Sequence, residues 1–121
     1  MPIKSYKELI VWQKSILLVA EIYIITKLLP ESEVFGLISQ MQRASVSIAS
    51  NIAEGFGRKH PKEFIHFLSI AYGSALELET QLIIVKQQYS GIQSQKAEDL
   101  LVEEQKMLKA LMSKINFHTK D

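Results

Sequence analysis

Phe64, Leu68, Ala71, Ala75, Leu78, Leu82, Val85 and Tyr89 follow one another at alternating intervals of four and three residues. That interval keeps one apolar stripe on one side of a helix, and no strand pattern produces it. A seam of this length has to be covered by other helices, and the rest of the chain is read as supplying them. Three prolines and five glycines divide the 121 residues into four helical stretches, 5–28, 31–55, 61–89 and 94–115, with 116–121 as a frayed tail. Connections this short favour antiparallel neighbours. The expected fold is therefore all-α, one domain over 1–121 built as an up-down-up-down four-helix bundle.

The ends of these stretches carry their own signals. Ser5 and Glu8 have the capping-box spacing, in which each side chain satisfies the other's free backbone donor. Pro30 blocks continuation of the first helix. Glu31-Ser32-Glu33 suits the positive end of the second, and Gly55-Phe56-Gly57 offers left-handed residues to close it. Pro61 and Glu63 open the third helix, and Ser90-Gly91 end it. In the fourth, Ala97, Leu101, Leu108, Leu111 and Ile115 point inward, with lysines and glutamates outside.

Composition removes several classes of function. With no cysteine, disulfides, thiolate zinc sites and cysteine nucleophiles are excluded, and a reducing cytoplasm is the expected setting. The apolar run from Ile16 to Ile25 is interrupted by Glu21 and is too short for a bilayer, so no membrane partner is expected. A net charge of +1 argues against a globally basic nucleic-acid binder but leaves room for a local patch.

Helix one is more apolar than a monomer needs. Lys7, Lys14 and Glu21 define a wet sector, yet Val11, Leu18 and Ile25, spaced by seven, fall within it. The other sides, with Leu9, Trp12, Ile16, Val19, Tyr23 and Leu28, suffice for a core seam. Val11, Leu18 and Ile25 are thus expected to form an oligomer interface.

Helices two and three carry matching polar stripes. Gln40, Arg43, Ser47, Asn51 and Glu54 share one face, as do His66, Ser69, Gly73, Glu77 and Thr80, both at intervals of 3, 4, 4, 3. Antiparallel packing across a turn near residue 60 sets Glu54 against His66, Asn51 against Ser69, Ser47 against Gly73, Arg43 against Glu77 and Gln40 against Thr80. This polar seam is read as fixing the register of the pair, with Arg43 and Glu77 as a charge pair at mid-bundle. A polar ligand channel is the other use of such a seam.

Several of these residues belong to recognisable motifs. Leu29-Pro30-Glu31-Ser32-Glu33-Val34-Phe35-Gly36-Leu37, then Gln40 and Arg43, then Ser47-Ile48-Ala49-Ser50-Asn51-Ile52-Ala53-Glu54-Gly55 resemble the 23S rRNA intervening-sequence proteins, also called four-helix bundle proteins. Phe67-Leu68-Ser69-Ile70-Ala71-Tyr72-Gly73-Ser74-Ala75-Leu76-Glu77-Leu78-Glu79-Thr80 is similar to the family's element in helix three, and Leu9 with Trp12-Gln13 fits its opening. The resemblance spans about residues 5 to 115. It implies a four-helix protomer assembled as a ring-shaped homopentamer. It also implies kinship with the accessory variability determinant of diversity-generating retroelements, a protein associated with nucleic acid and a reverse transcriptase. The family likeness carries fold and assembly rather than a mechanism.

No catalytic constellation emerges. Glu63-Phe64-Ile65-His66 is a single Glu-x-x-His where di-iron bundles need two, and His60 and His118 lie outside the core pattern, so neither metal nor cofactor is expected. The only aspartates are Asp99 and Asp121, on a charged face and in the tail, which leaves no triad. The one patch that suits a ligand is Arg58-Lys59-His60-Pro61-Lys62, at the turn between helices two and three. Arg58, Lys59, His60 and Lys62 suit phosphates, and a ring would repeat them along one rim. Phe56 is the only ring read as near them. The expected function is a non-enzymatic homo-oligomer binding RNA or a ribonucleoprotein; the alternative is a protein–protein scaffold ring with no nucleic-acid role.

Overall fold

The computed structural model describes residues 3–119, and side chains over residues 3–116. Four helices dominate: α1 (Ile10–Leu28), α2 (Ser39–Gly57), α3 (Pro61–Gln88) and α4 (Gln95–Thr119), with no strand among the described residues. Cross-helix contacts fix their directions. Thr26 on α1 meets Gln42 on α2, while Trp12 and Ala53 line one surface groove between the two helices. Ser47 on α2 meets Ser74 on α3, and Gly55 lies against Phe64 and Phe67. On α4, Glu98 and Gln105 reach Lys86 and Glu79 of α3, while Lys96 and Glu103 reach Glu21 and Lys14 of α1. In each pair, numbers rise on one helix as they fall on the other. All four neighbouring pairs are antiparallel.

The seam of α3 faces the core. Leu68, Ala71, Ala75, Leu78, Leu82 and Val85 are buried, and Phe64 and Tyr89 pack at its two ends. Leu18, Ile22, Met41, Ile48, Ile52 and Leu108 complete a core without solvent contact. Each such side chain stabilises the fold by roughly 1.5–3 kcal/mol before ordering costs. By length and composition α3 is also long and apolar enough to cross a membrane, but here its stripe is spent on α2 and α4.

Helix ends depart from the expected limits for local reasons. Ser5 Oγ accepts from the Lys7 N–H and the Glu8 carboxylate accepts from the Ser5 N–H, but they cap a single 3-10 turn, Tyr6–Glu8. Leu9 is extended, and α1 starts after it. Between α1 and α2 lie a 3-10 turn, Glu31–Glu33, and a widened turn, Val34–Ile38, bent at Gly36. Glu33 holds this connection down. Its carboxylate accepts from the Leu37 N–H at 3.3 Å and the Tyr89 hydroxyl at 2.6 Å, and the latter bond pushes the phenol above its ordinary value. At the other end α4 continues to Thr119, through positions read as tail; Asp121 and the His118 side chain lie outside what is described.

The face of α1 assigned to an oligomer interface is instead inside the protomer. Val11, Leu18 and Ile25 are at most 4% exposed, whereas Ile10, Leu17, Ile24 and Leu28 are 53–60% exposed. Ile16 and Tyr23, read as core, are also exposed. Apolar residues surround α1, so periodicity alone did not choose an inward side. The chosen side includes Ser15 and Thr26, whose hydroxyls donate to their own helix at Trp12 O and Tyr23 O and so can be buried without a distant partner. Lys14 and Glu21 lie partly covered beside α4 and reach Glu103 and Lys96. An apolar outer stripe does exist. It lies one residue earlier in each turn than expected.

Candidate nucleic-acid interface

The turn between α2 and α3 begins with an unusually close approach of two helices. A Cβ placed on Gly55 would stand 2.6 Å from the Cβ of Phe67 and 3.1 Å from the Phe64 ring. Gly55 is therefore a packing residue, not a cap, and both it and Gly57 stay helical. The left-handed residue is Lys59, at φ 59°. A residue with a Cβ carries a cost of about 1–2 kcal/mol there, where helix ends usually place glycine. The N–H groups of Arg58 and Lys59 donate to Gly55 O and Phe56 O, both at 3.3 Å, and close α2. Extended His60 then leads into Pro61, which opens α3 without needing a backbone donor.

The four expected phosphate ligands separate into two groups. Arg58 is engaged: its guanidinium donates to Glu54 at 3.0 Å, lies 3.9 Å from Glu63 and sits 5.1 Å from the centre of the Phe67 ring. Two carboxylates offset its charge, so it braces the turn. Lys59, His60 and Lys62 are exposed, and their side chains have no ion pair among the described residues. Lys4 joins them from the N-terminal segment, which the Glu8 carboxylate holds by accepting the Lys4 N–H at 3.1 Å.

Lys4, Lys59 and His60, but not Lys62, rim an open cavity of about 580 Å³, whose other lining residues are Ile3, Gly55, Phe56, Pro61, Phe64 and Ile115. Phe56 and Phe64 meet edge to face inside it, with ring centres 5.9 Å apart. Sequence reasoning found only Phe56 beside the basic run. Phe64 arrives because the chain reverses between them, and Lys4 and Ile115 arrive from opposite ends of the sequence. No local motif marks that meeting.

The polar seam keeps close to its expected register but not its place. Ser74 and Ser47 hydroxyls hydrogen-bond at 3.0 Å, one residue from the expected Ser47–Gly73 apposition, and Asn51 donates to Ser47. Yet Gln40, Arg43, Glu54, His66, Ser69, Glu77 and Thr80 are all exposed, with only Ser47 and Asn51 half-buried. Arg43 and Glu77 do not pair; Glu77 accepts from Gln81 at 3.4 Å. Ala44, Ile48 and Ile52 of α2 and Leu68, Ala71 and Ala75 of α3 take the inside, which turns both stripes to solvent. A mid-bundle charge pair or internal channel is not formed there.

Glu104 was missed altogether. It occupies the slot between Leu101 and Leu108 in the inward series of α4, has no solvent exposure, and neither carboxylate oxygen has a hydrogen-bond partner. Burial, and secondarily the adjacent Glu103, push its carboxyl up to about 8. The one signal for it is the heptad spacing of α4, in which position 104 falls between Leu101 and Leu108. Among the described residues no three of His, Cys, Asp and Glu gather as metal ligands, and Glu63 and His66 both face solvent.

Four antiparallel helices around one apolar core, with a basic turn beside an aromatic-floored cavity, define a small four-helix-bundle protein. The family model of the 23S rRNA-intervening sequence protein matches residues 7–113, nearly the whole chain. The chain belongs to that family. Among curated proteins, no individual relative matches it.

Proposed function

We propose that this chain is a non-enzymatic, self-associating bundle that binds RNA, alone or within a ribonucleoprotein, through the α2–α3 turn. The observation that carries the reading is the set of Lys59, His60 and Lys62 at that turn, exposed and without a carboxylate partner among the described residues, with Lys4 beside Lys59 and His60. Exposed lysines of this kind displace counterions from a phosphate backbone and need no defined sequence. Self-association draws support from Ile10, Leu17, Ile24 and Leu28, an apolar stripe on α1 that solvent would otherwise wet. In a ring, the pentamer being the size suggested by the family likeness, every copy of the turn lies on one rim and weak contacts add. Such a protein would work in the cytoplasm.

Titration of a structured RNA at two salt concentrations tests this. Binding should weaken by about tenfold or more between roughly 50 and 200 mM salt. The Lys59→Ala, Lys62→Ala double variant should reduce both affinity and salt slope. Salt-independent binding, or binding indifferent to the double variant, would refute it.

Phe35 favours a second reading. It is 94% exposed at the opposite end of the bundle, with Val34 beside it also exposed. A protein scaffold that docks a partner there would retain the partner in a pull-down after nuclease treatment and lose it on Phe35→Ser.

A further inference from the structure

We infer that the cavity at the α2–α3 turn holds an unpaired nucleobase, with the adjoining phosphate on Lys59 and Lys4. This rests on the reading that the turn binds RNA, and it names the part of RNA that the turn recognises.

Size, lining and charge converge on that occupant. A volume of about 580 Å³ falls within the range of about 300–1,000 Å³ typical of sites for small organic ligands. The interior is apolar and partly aromatic: Phe56 and Phe64 are set edge to face, with Ile115 and Pro61 beside them. Flat heteroaromatic rings stack on such side chains with little regard to base identity. Among the described residues, the charged groups that line it are cationic, Lys4 and Lys59, with His60 as a third donor, and no carboxylate contributes to the wall. A neutral apolar ligand gains nothing from that rim, and a cation is repelled. A flat ring joined to a phosphate uses both parts.

The backbone gives an independent indication. Lys59 occupies a left-handed position that glycine would hold without strain. The strained residue supplies a cation to the cavity mouth. Backbone strain is characteristic of ligand-contacting positions. Duplex bases are stacked and cannot enter such a cavity, so loops, bulges and single strands are the substrates selected.

The test compares a single-stranded RNA, a fully paired RNA of equal length and inorganic polyphosphate. Each is titrated against wild type, Phe56→Leu and Ile115→Trp, with fold checked by circular dichroism and assembly by sedimentation. Phe56→Leu removes a ring, whereas Ile115→Trp fills the cavity and leaves every charge in place, so the second variant stands if the first misfolds. Wild type should bind the single strand about tenfold more tightly than the duplex. Both variants should lose about fivefold on the single strand and nothing on polyphosphate. Equal affinity for all three polyanions, unmoved by the variants, would overturn the base pocket while leaving phosphate binding intact. Absence of binding to any of them would overturn the RNA reading itself. Variants that alter sedimentation but not RNA affinity would make the cavity a contact between subunits, and the inference would fall.

Discussion

Gly55 lies so close to Phe67 that a methyl group on the glycine would be driven to 2.6 Å from the Phe67 Cβ. The contact brings the last turn of α2 onto the first turns of α3 and sets the geometry of the basic turn between them. Alanine normally favours a helix over glycine by about 1 kcal/mol. Here Gly55→Ala should destabilise by roughly 1–3 kcal/mol, because the helices must separate to admit the methyl. Urea unfolding decides the sign, and a stabilised variant would refute the packing account.

Glu104 makes a prediction about pH. Its carboxyl, near 8 in the folded chain against 4.5 ordinarily, keeps its proton over a range where the unfolded chain has released it. Stability should therefore fall as pH rises from about 4.5 to about 8, by up to roughly 1.4 kcal/mol per unit, and level off above. Glu104→Gln should remove most of that slope and be the more stable protein at pH 8. Parallel pH profiles for the two chains would show that the buried acid does not titrate this way.

Lys59 separates stability from binding. Lys59→Gly should relieve the left-handed backbone and raise stability by about 1 kcal/mol, while RNA affinity drops. Lys59→Ala should lose affinity equally without the gain in stability. Thermal melts beside RNA titrations check both halves, and a less stable glycine variant would contradict the strain.

Adjacent positions on α1 should behave oppositely. Leu17→Glu combined with Ile24→Lys, on the exposed stripe, should yield a folded monomer by sedimentation. Leu18→Glu, one residue along, buries a charge in a fully enclosed site and should unfold the protomer. If the first pair leaves assembly unchanged, the outer stripe is not the interface.

How far the site was legible depended on how local its signals were. The basic run is contiguous, so Lys59, His60 and Lys62 could be picked out directly. Nothing in the run showed that Arg58 would be engaged by Glu54, Glu63 and Phe67 while Lys59 and Lys62 form no ion pair among the described residues. Lys4, Phe64 and Ile115 are distant in sequence and meet only at the end of the bundle.

Four helices, the inward stripe of α3 and the near register of α2 on α3 can be read from residue spacing. Each follows from spacing along one helix or across one short turn, and such spacing survives whatever else the chain does. Which side of α1 lies inside is set by packing, because a helix apolar all round has no preferred face until neighbours bury one. Packing also turns the polar stripes outward and encloses Glu104 of α4 in the core. These are outcomes of competition among surfaces for a single interior, and no one segment of the chain contains them.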